Sequence, residues 1–265
     1  MPTRKRDQAT SRGGGQVTRR SVLKQLTVLG TAVAGGAAVG LILPRDAAAT
    51  LTEPYDWTRH RWVYLIDTRK CIGCGFCVGA CRQENEVPHG NYRTWIERYR
   101  INSEGEAHVD SPLGGERGFE RIRDSGHFGK AFFVPKLCNQ CAASPCSQVC
   151  PVGASYSTRD GVVLVDAEHC IGCGYCVQAC PYGSRFMNHD THTADKCTWC
   201  YHRLTRGETT ACVGICPTGA RIIGDREDPD DPINHILATE RIQVLQPELL
   251  TKPQCYYQGL DQGVR

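Results

Sequence analysis

The chain has 265 residues, of which 40% are hydrophobic, and its mean hydropathy is −0.37. This composition excludes a polytopic membrane protein, a disordered chain and a coiled coil. Its 17 cysteines are too many for an ordinary soluble enzyme, and an odd number leaves one thiol unpaired in a purely intramolecular disulfide framework. The formal net charge is +3, but residues 50–265 hold 23 basic against 26 acidic side chains. The part beyond residue 49 has no basic excess, which argues against binding to nucleic acid.

The first 49 residues have the layout of an export signal. Arg19 and Arg20 lie in the sequence Thr-Arg-Arg-Ser-Val-Leu-Lys, and an uncharged stretch follows at 25–43. Three alanines at 47–49 supply the small residues that a signal peptidase accepts. The pattern resembles a twin-arginine signal peptide, and it predicts a periplasmic location. The alternative is an uncleaved N-terminal membrane anchor, because nineteen uncharged residues can just span a bilayer.

Four segments outside the cysteine motifs have a recognisable pattern. Residues 61–67 predict a strand that enters the first motif, whereas 101–130 are rich in glycine and charge and predict an insertion or surface hairpin. Residues 155–158 and 162–165, separated by an Asp-Gly turn at 160–161, predict a β-hairpin. Residues 225–265 are assigned to a C-terminal tail of the domain that begins at residue 50.

Sixteen of the cysteines form four groups of four. The groups are Cys71, Cys74, Cys77 and Cys81; Cys138, Cys141, Cys146 and Cys150; Cys170, Cys173, Cys176 and Cys180; and Cys197, Cys200, Cys212 and Cys216. The first and third groups match at nine of eleven positions, which indicates an internal repeat. The chain is therefore predicted to be α+β, with duplicated bacterial ferredoxin-like units and inserted hairpins and loops. Cys255 has no partner group and is predicted to be a bystander.

The spacing of these cysteines suits [4Fe–4S] clusters. A cube needs one thiolate per iron, and a Cys-x2-Cys-x2-Cys loop supplies three of them. Gly73 and Gly172 remove the Cβ atom where the backbone must approach closely or adopt a positive φ. In two-cluster ferredoxins the fourth cysteine binds the other cluster and is followed by proline. Proline follows the fourth cysteine of three groups here, at positions 151, 181 and 217.

Zinc ribbons and disulfides are the two alternatives for the cysteines. Paired Cys-x2-Cys motifs can bind zinc, but zinc does not need the repeated third and fourth cysteines with Cys-Pro endings. Disulfides are plausible in a periplasmic protein, but loops this short cannot pair most of these thiols locally with good geometry. The iron–sulfur interpretation is the favoured one.

With these motifs, the chain resembles the four-cluster ferredoxin subunit of bacterial molybdopterin oxidoreductase complexes. Relatives in that family serve tetrathionate, thiosulfate, polysulfide, dimethyl sulfoxide and arsenate reductases and formate dehydrogenases. Besides the cysteine groups, the resemblance depends on Asp-Lys-Cys-Thr-Trp-Cys-Tyr-His-Arg at 195–203 and the closing Thr-Lys-Pro at 251–253. It covers roughly residues 60–260, nearly everything that follows the signal.

The resemblance implies that the groups exchange their odd cysteines, the first with the fourth and the second with the third. The implied ligands are Cys71, Cys74, Cys77 and Cys216 for cluster 1; Cys81, Cys197, Cys200 and Cys212 for cluster 2; Cys138, Cys141, Cys146 and Cys180 for cluster 3; and Cys150, Cys170, Cys173 and Cys176 for cluster 4. Some relatives have tryptophan in place of Cys173 and carry a [3Fe–4S] centre. Cysteine at this position implies four [4Fe–4S] clusters.

No nucleotide fingerprint, nucleophile elbow or open metal site marks a substrate pocket in residues 50–265. The resemblance therefore implies an electron-transfer subunit without a catalytic site or small-molecule substrate of its own. Its implied partners are a molybdopterin-containing catalytic subunit and an integral membrane quinone/quinol-interacting subunit, which would hold it peripherally at the membrane. Two alternatives remain, namely the electron-transfer subunit of a periplasmic nickel–iron hydrogenase and a free periplasmic polyferredoxin.

Overall fold

A computed structural model describes residues 54–121 and 128–264. The strands in these ranges are β1 (Trp62–Asp67), β2 (Thr94–Asn102), β3 (Ala107–Asp110), β4 (Phe128–Leu137), β5 (Ser155–Ser157), β6 (Val163–Val165), β7 (Arg185–Asn188), β8 (Thr193–Lys196), β9 (Arg221–Asp225), β10 (Ile242–Gln243) and β11 (Cys255–Gln258). The helices are α1 (Phe76–Asn85), α2 (Pro145–Gln148), α3 (Tyr175–Gln178), α4 (Tyr201–Leu204), α5 (Ala211–Gly214) and α6 (Pro232–Thr239). This mixture of helices and strands agrees with the predicted α+β class.

The predicted export signal, including Arg19 and Arg20, lies outside the described residues. Within 54–121 and 128–264, no helix is both long enough and apolar enough to cross a membrane.

A four-stranded sheet with the order β10-β11-β1-β9 lies at the centre of the fold. Strand β1 confirms the prediction for 61–67, and five of its six residues are buried. Because side chains alternate along a strand, Tyr64 and Ile66 enter the main core, whereas Val63 and Leu65 pack against Ile233 of α6. Strand β1 therefore joins two apolar clusters, one on each face of the sheet.

The segment 225–265, assigned to a tail, contributes strands β10 and β11 to this sheet. Strand β11 lies between β10 and β1, and its parallel register places Cys255 opposite Tyr64. The hydroxyl of Thr68, just after β1, donates to the carbonyl oxygens of Gln258 and Gly259 at 3.0 and 2.8 Å. The end of the chain thus completes the sheet beside the first cysteine motif.

A second sheet, with the order β3-β2-β4, includes β3 and the two ends of the segment predicted as an insertion or surface hairpin. Strands β2 and β4 are antiparallel. Thr94 pairs with Leu137 at the inner end, and the pairing continues towards the outer end of the sheet. At the inner end Ile96, Val134 and Leu137 are buried in the main core, whereas the outer strand β3 is mostly exposed. The strand residues that fall within 101–130 are exposed or partly buried, so the prediction of a surface element is right for these described strands.

Two small hairpins support the later cysteine motifs. The predicted hairpin at 155–165 is confirmed as the antiparallel pair β5-β6, and Asp160 in its turn is fully buried. The Asp160 carboxylate accepts a hydrogen bond of 2.9 Å from the hydroxyl of Tyr201, which begins α4. A second antiparallel hairpin, β7-β8, links the third cysteine group to the fourth.

Candidate functional site

The first and third cysteine loops have the same backbone conformation. Gly73 and Gly172 have φ values of 68° and 70°, which confirms the expectation that both positions need glycine. A Cβ atom on Gly73 would meet the ring of Phe133 at 2.5 Å, and one on Gly172 would meet the carbonyl oxygen of His192 at 2.6 Å. Gly75 and Gly174, also with positive φ, directly precede α1 and α3. Each loop therefore turns tightly around its cysteines before a helix begins.

Two cavities are each lined by four cysteine side chains. One is lined by Cys150, Cys170, Cys173 and Cys176 together with apolar neighbours. The other is lined by Cys138, Cys141, Cys146 and Cys180. We name these groups of thiols set 4 and set 3, respectively. In each set three cysteines come from one motif and the fourth comes from the other.

The remaining motif cysteines also come together in groups drawn from two motifs. Cys81 interacts electrostatically with Cys197, Cys200 and Cys212, and we name these four thiols set 2. Cys77 interacts with Cys74 and Cys216, and Cys71 interacts with Cys74 and Cys77. We name these last four thiols set 1.

The seventeenth cysteine belongs to none of the sets. Cys255 is fully buried in β11, and its thiol lies near Tyr257 and Arg221. Burial raises its pKa well above the usual value, so the thiol stays protonated at neutral pH. None of the seventeen cysteines forms a disulfide with another.

The four sets lie in a row. Cys77 of set 1 interacts with Cys212 of set 2, and Cys197 of set 2 interacts with Cys138 of set 3. Cys176 of set 4 interacts in turn with Cys146 of set 3. Neighbouring thiols therefore connect set 1 to set 2, set 2 to set 3, and set 3 to set 4.

Burial differs between the ends and the middle of the row. All four cysteines of set 2 and three of set 3 are buried, against one in set 1 and one in set 4. Large apolar side chains are exposed beside both terminal sets, with Ile72 and Phe76 next to set 1 and Ile171 and Tyr175 next to set 4. Cys173 of set 4 is itself exposed. The sequence analysis did not identify these apolar residues, although Ile72 and Ile171 occupy the same position in the repeated Cys-Ile-Gly-Cys motif.

Hydrogen-bond donors surround several of the sulfur atoms. The backbone N–H groups of Ala194 and Trp199 donate to the Sγ atoms of Cys170 and Cys197, each at 3.4 Å. The Tyr64 hydroxyl lies 3.2 Å from Cys212 Sγ, within hydrogen-bond distance. Donors at these positions favour the thiolate over the thiol and influence the reduction potential of a bound cluster.

Burial has the opposite effect on the free thiols. It raises the pKa of Cys71 to about 11 and that of Cys141 to about 12, because a thiolate loses its hydration in the interior. Burial also acts to raise the pKa of Cys150, but backbone N–H groups of the residues that follow it outweigh burial and lower the pKa. The thiols whose pKa is raised by burial therefore require a bound metal cofactor to persist as thiolates at neutral pH.

Two buried arginines indicate what kind of cofactor fits these cavities. Arg185 and Arg221 each have guanidinium N–H groups without a hydrogen-bond partner. Arg185 interacts electrostatically with thiols of sets 3 and 4, and Arg221 with thiols of sets 1 and 2. Buried cationic donors of this kind need an anionic acceptor. A [4Fe–4S] cube with four thiolates carries a net negative charge, so the residues present fit it.

The arrangement of the side chains also distinguishes between an iron–sulfur cluster and a single metal ion as the cofactor. Within the described part of the chain, no three His, Cys, Asp or Glu side chains converge as they must to hold one metal ion. A [4Fe–4S] cube takes one thiolate per iron, so its ligands stand further apart around a larger object. The thiol sets therefore suit cubes better than zinc.

Comparison with known proteins agrees with this geometry. Two family models, both described as a 4Fe-4S dicluster domain, match residues 70–154 and 129–226. The B subunit of tetrathionate reductase from Salmonella typhimurium is 46% identical over 77% of this chain and 74% of its own length. The protein belongs to the iron–sulfur electron-transfer subunits of molybdopterin oxidoreductases. As a member of this family it carries four [4Fe–4S] clusters and transfers electrons.

Further relatives in the family come from distant organisms. The B subunit of tetrathionate reductase from Archaeoglobus fulgidus is 43% identical over 76% of this chain and 83% of its own length. The B polypeptide of polysulfide reductase from Wolinella succinogenes is 38% identical over 72% of this chain and 91% of its own length. Each of these proteins is a subunit of a reductase, so membership in the family implies a catalytic partner.

Proposed function

We propose that this chain carries single electrons between a molybdopterin-containing catalytic subunit and an integral membrane quinone/quinol-interacting subunit. The observation that carries the proposal is the row of four thiol sets, which is mostly buried in the middle and less buried at both ends. A relay between two partners needs an accessible site at each end for exchange. It also needs an insulated path between them, and the buried sets 2 and 3 fit that role.

In this proposal each thiol set holds one cluster. The ligands are Cys71, Cys74, Cys77 and Cys216 for cluster 1; Cys81, Cys197, Cys200 and Cys212 for cluster 2; Cys138, Cys141, Cys146 and Cys180 for cluster 3; and Cys150, Cys170, Cys173 and Cys176 for cluster 4. The exchange of odd cysteines between motifs and the matching loops at Gly73 and Gly172 support duplication of a two-cluster unit. Iron and acid-labile sulfide assays on anaerobically purified protein should give about sixteen of each per chain.

The two ends of the row are the proposed docking sites. Ile72 and Phe76 beside cluster 1, and Ile171 and Tyr175 beside cluster 4, are exposed apolar side chains next to cofactors. Exposed apolar groups that cluster on a surface commonly mark sites of protein–protein interaction. We assign one end to the catalytic subunit and the other to the membrane subunit.

Affinity purification from detergent-solubilised membranes tests this assignment. The tagged chain should retain both partners, Phe76→Glu should lose one of them, and Ile171→Glu should lose the other. Val109→Glu is the matched control, because Val109 is also an exposed apolar residue but lies on β3 of the second sheet. Recovery of the wild-type chain without any partner would favour a free polyferredoxin, and recovery of a nickel–iron subunit would favour the hydrogenase alternative.

The same experiment addresses the substrate of the complex. The relatives at 46% and 43% identity are both B subunits of tetrathionate reductases, so we assign a sulfur oxyanion such as tetrathionate to the catalytic partner. The purified complex should oxidise a reduced viologen dye with tetrathionate as the acceptor. Activity with dimethyl sulfoxide or selenate but not with tetrathionate would contradict this assignment.

Residues 1–49 support export by the twin-arginine pathway, followed by attachment to the periplasmic face of the membrane through a partner. Replacing both Arg19 and Arg20 with lysine should leave the loaded protein in the cytoplasm. Cell fractionation measures this, and mass spectrometry of the exported wild-type chain should find Thr50 as its first residue. Normal export of the double-lysine variant would refute the signal, whereas an intact Met1 end would favour the uncleaved anchor.

A further inference from the structure

Three cationic side chains are buried at the places where neighbouring thiol sets meet. Arg221, Lys196 and Arg185 are 2%, 1% and 4% exposed, respectively. Lysine and arginine are almost never fully buried unless they are paired. Among the described residues, no carboxylate forms an ion pair with any of the three.

Arg221 lies between sets 1 and 2. It is the first residue of β9, and its guanidinium interacts with the sulfur atoms of Cys77 in set 1 and Cys212 in set 2. Nη2 donates a hydrogen bond of 2.8 Å to the Thr94 hydroxyl, which fixes the side chain. Nη1 has no partner and remains available to a sulfur acceptor of a bound cluster.

Arg185 has the equivalent place between sets 3 and 4. It is the first residue of β7, and it interacts with the sulfur atoms of Cys146 in set 3 and Cys176 in set 4. Nη2 donates to the Ser155 hydroxyl at 2.6 Å, whereas Nε and Nη1 have no partner. Arg185 and Arg221 each stand five residues after the last cysteine of a motif, so they are also equivalent in sequence.

Lys196 lies between sets 2 and 3. Its ammonium group donates to the carbonyl oxygen of Cys197, a member of set 2, at 2.8 Å. It also lies 3.4 Å from Oε1 of Gln140, which stands between two cysteines of set 3. The Gln140 side chain donates to the same Cys197 carbonyl at 2.8 Å, so it fixes the two loops around the lysine.

A buried cation is stabilised when anions surround it, and two clusters are anions. A cluster becomes more negative on reduction, and adjacent clusters repel each other in the low-dielectric interior. A cation between them offsets this repulsion and favours the added electron. Since each cation lies at the junction of two sets, its effect should extend to two clusters and weaken beyond them.

We propose that Arg221, Lys196 and Arg185 are the charge-compensating residues of the electron path, one for each junction between neighbouring clusters. Each raises the reduction potentials of the two clusters beside it. The orphan N–H groups of the two arginines donate to sulfur atoms of those clusters. The proposal rests on the ligand sets given under Proposed function.

A cluster that can be observed separately gives the sharpest test. In a Cys173→Ser background, cluster 4 should become a [3Fe–4S] centre with its own paramagnetic signal in the oxidised state. Potentiometric titration of this signal in the loaded protein then reports on cluster 4 alone. Adding Arg185→Gln should lower its reduction potential so that the ratio of reduced to oxidised centre falls at least about tenfold, which is about 59 mV for one electron.

Arg221→Gln in the same background is the matched control, because Arg221 is buried in the same way but lies at the other end of the row. It should leave the [3Fe–4S] potential unchanged while it lowers the potentials of two [4Fe–4S] clusters. Arg185→Lys should restore most of the cluster 4 potential, because it keeps the charge. Arg206→Gln removes a surface arginine that contacts Glu208, and it should change no potential.

The possible outcomes distinguish a failure of this proposal from a failure of the proposed ligand sets. Absence of a [3Fe–4S] signal in Cys173→Ser would refute the ligand set of cluster 4 itself. A normal signal whose potential does not move with Arg185→Gln, or moves equally with Arg221→Gln, would overturn the role of the cations. If Arg185→Gln lost iron, the Arg185→Lys variant would decide between a charge role and a structural role. Full iron content with a normal cluster 4 potential in Arg185→Lys would support the charge role, and loss of iron from it would overturn that role.

Discussion

The middle and the ends of the cysteine row are built differently. All four cysteines of set 2 are buried, and Cys197 and Cys212 belong to the main core together with Tyr64, Trp199 and Leu204. Set 4 lies nearer the surface, where Cys173 is exposed and Cys176 packs in a small apolar group with Cys146 and Ala194. The difference teaches that cluster 2 replaces part of the hydrophobic core, whereas cluster 4 is attached to its edge.

The largest expected effect is at the middle of the row. Cys197→Ser should destroy cluster 2 and, with it, the packing that the cluster supports, so the chain should lose well over four of its about sixteen irons and become susceptible to protease. Iron assay and limited proteolysis after anaerobic purification measure both effects. A folded protein that lacks only one iron would contradict the idea that cluster 2 belongs to the core.

The next effect concerns the exposed end. Cys173→Ser should remove one iron and convert cluster 4 to [3Fe–4S], because the other three ligands remain and little packing depends on this thiol. An oxidised-state signal near g = 2 (roughly the free-electron value) should appear by electron paramagnetic resonance, while the other three cubes persist. Electron transfer to quinone should slow, whereas activity with an artificial donor to the catalytic subunit should survive. If this variant were as sensitive to protease as Cys197→Ser, the contrast between middle and end would be wrong.

A smaller effect should come from single hydrogen bonds to sulfur. Tyr64→Phe removes a hydroxyl that lies 3.2 Å from Cys212 Sγ in buried set 2, and Thr218→Val removes one that lies 3.7 Å from Cys216 Sγ in set 1. A buried hydrogen bond contributes about 1 kcal/mol, so Tyr64→Phe should change the ratio of reduced to oxidised cluster 2 about fivefold. Water can replace the Thr218 hydroxyl at the half-buried Cys216, so its loss should change cluster 1 by less. Equal shifts in potentiometric titrations of the two variants would mean that burial does not govern these interactions.

Local patterns in the sequence were sufficient for part of this structure. The apolar run at 61–67 predicted β1, and the Asp-Gly turn at 160–161 predicted the hairpin β5-β6, because both depend on neighbouring residues. The glycines at 73 and 172 were expected for the same reason, since a tight loop around cysteines needs a positive φ. Features that depend on short spacing were therefore predictable.

Features that depend on distant parts of the chain were not predictable. Strand β11 pairs in parallel with β1, although Cys255 and Tyr64 are far apart in sequence, and nothing local indicates this partner. Arg185 and Arg221 have no sequence signature of burial, and an arginine after a turn normally lies at the surface. The one signal available was their equal spacing from the preceding cysteine. Burial at those positions follows from tertiary packing around the clusters.

The smallest effect is expected at Cys255, which tests whether burial alone makes a cysteine important for the clusters. This thiol is as inaccessible as those of set 2, but it lies in β11 and every thiol set is complete without it. Cys255→Ser should therefore leave the iron content and the paramagnetic spectrum unchanged, while the buried hydroxyl lowers the free energy of unfolding by about 1 kcal/mol. Thermal unfolding of the loaded protein measures this, and Cys255→Ala is the control for lost volume without a new polar group. If Cys255→Ser removed a cluster and Cys173→Ser did not, the ligand sets would be wrong, because a cysteine outside the row would then be binding iron.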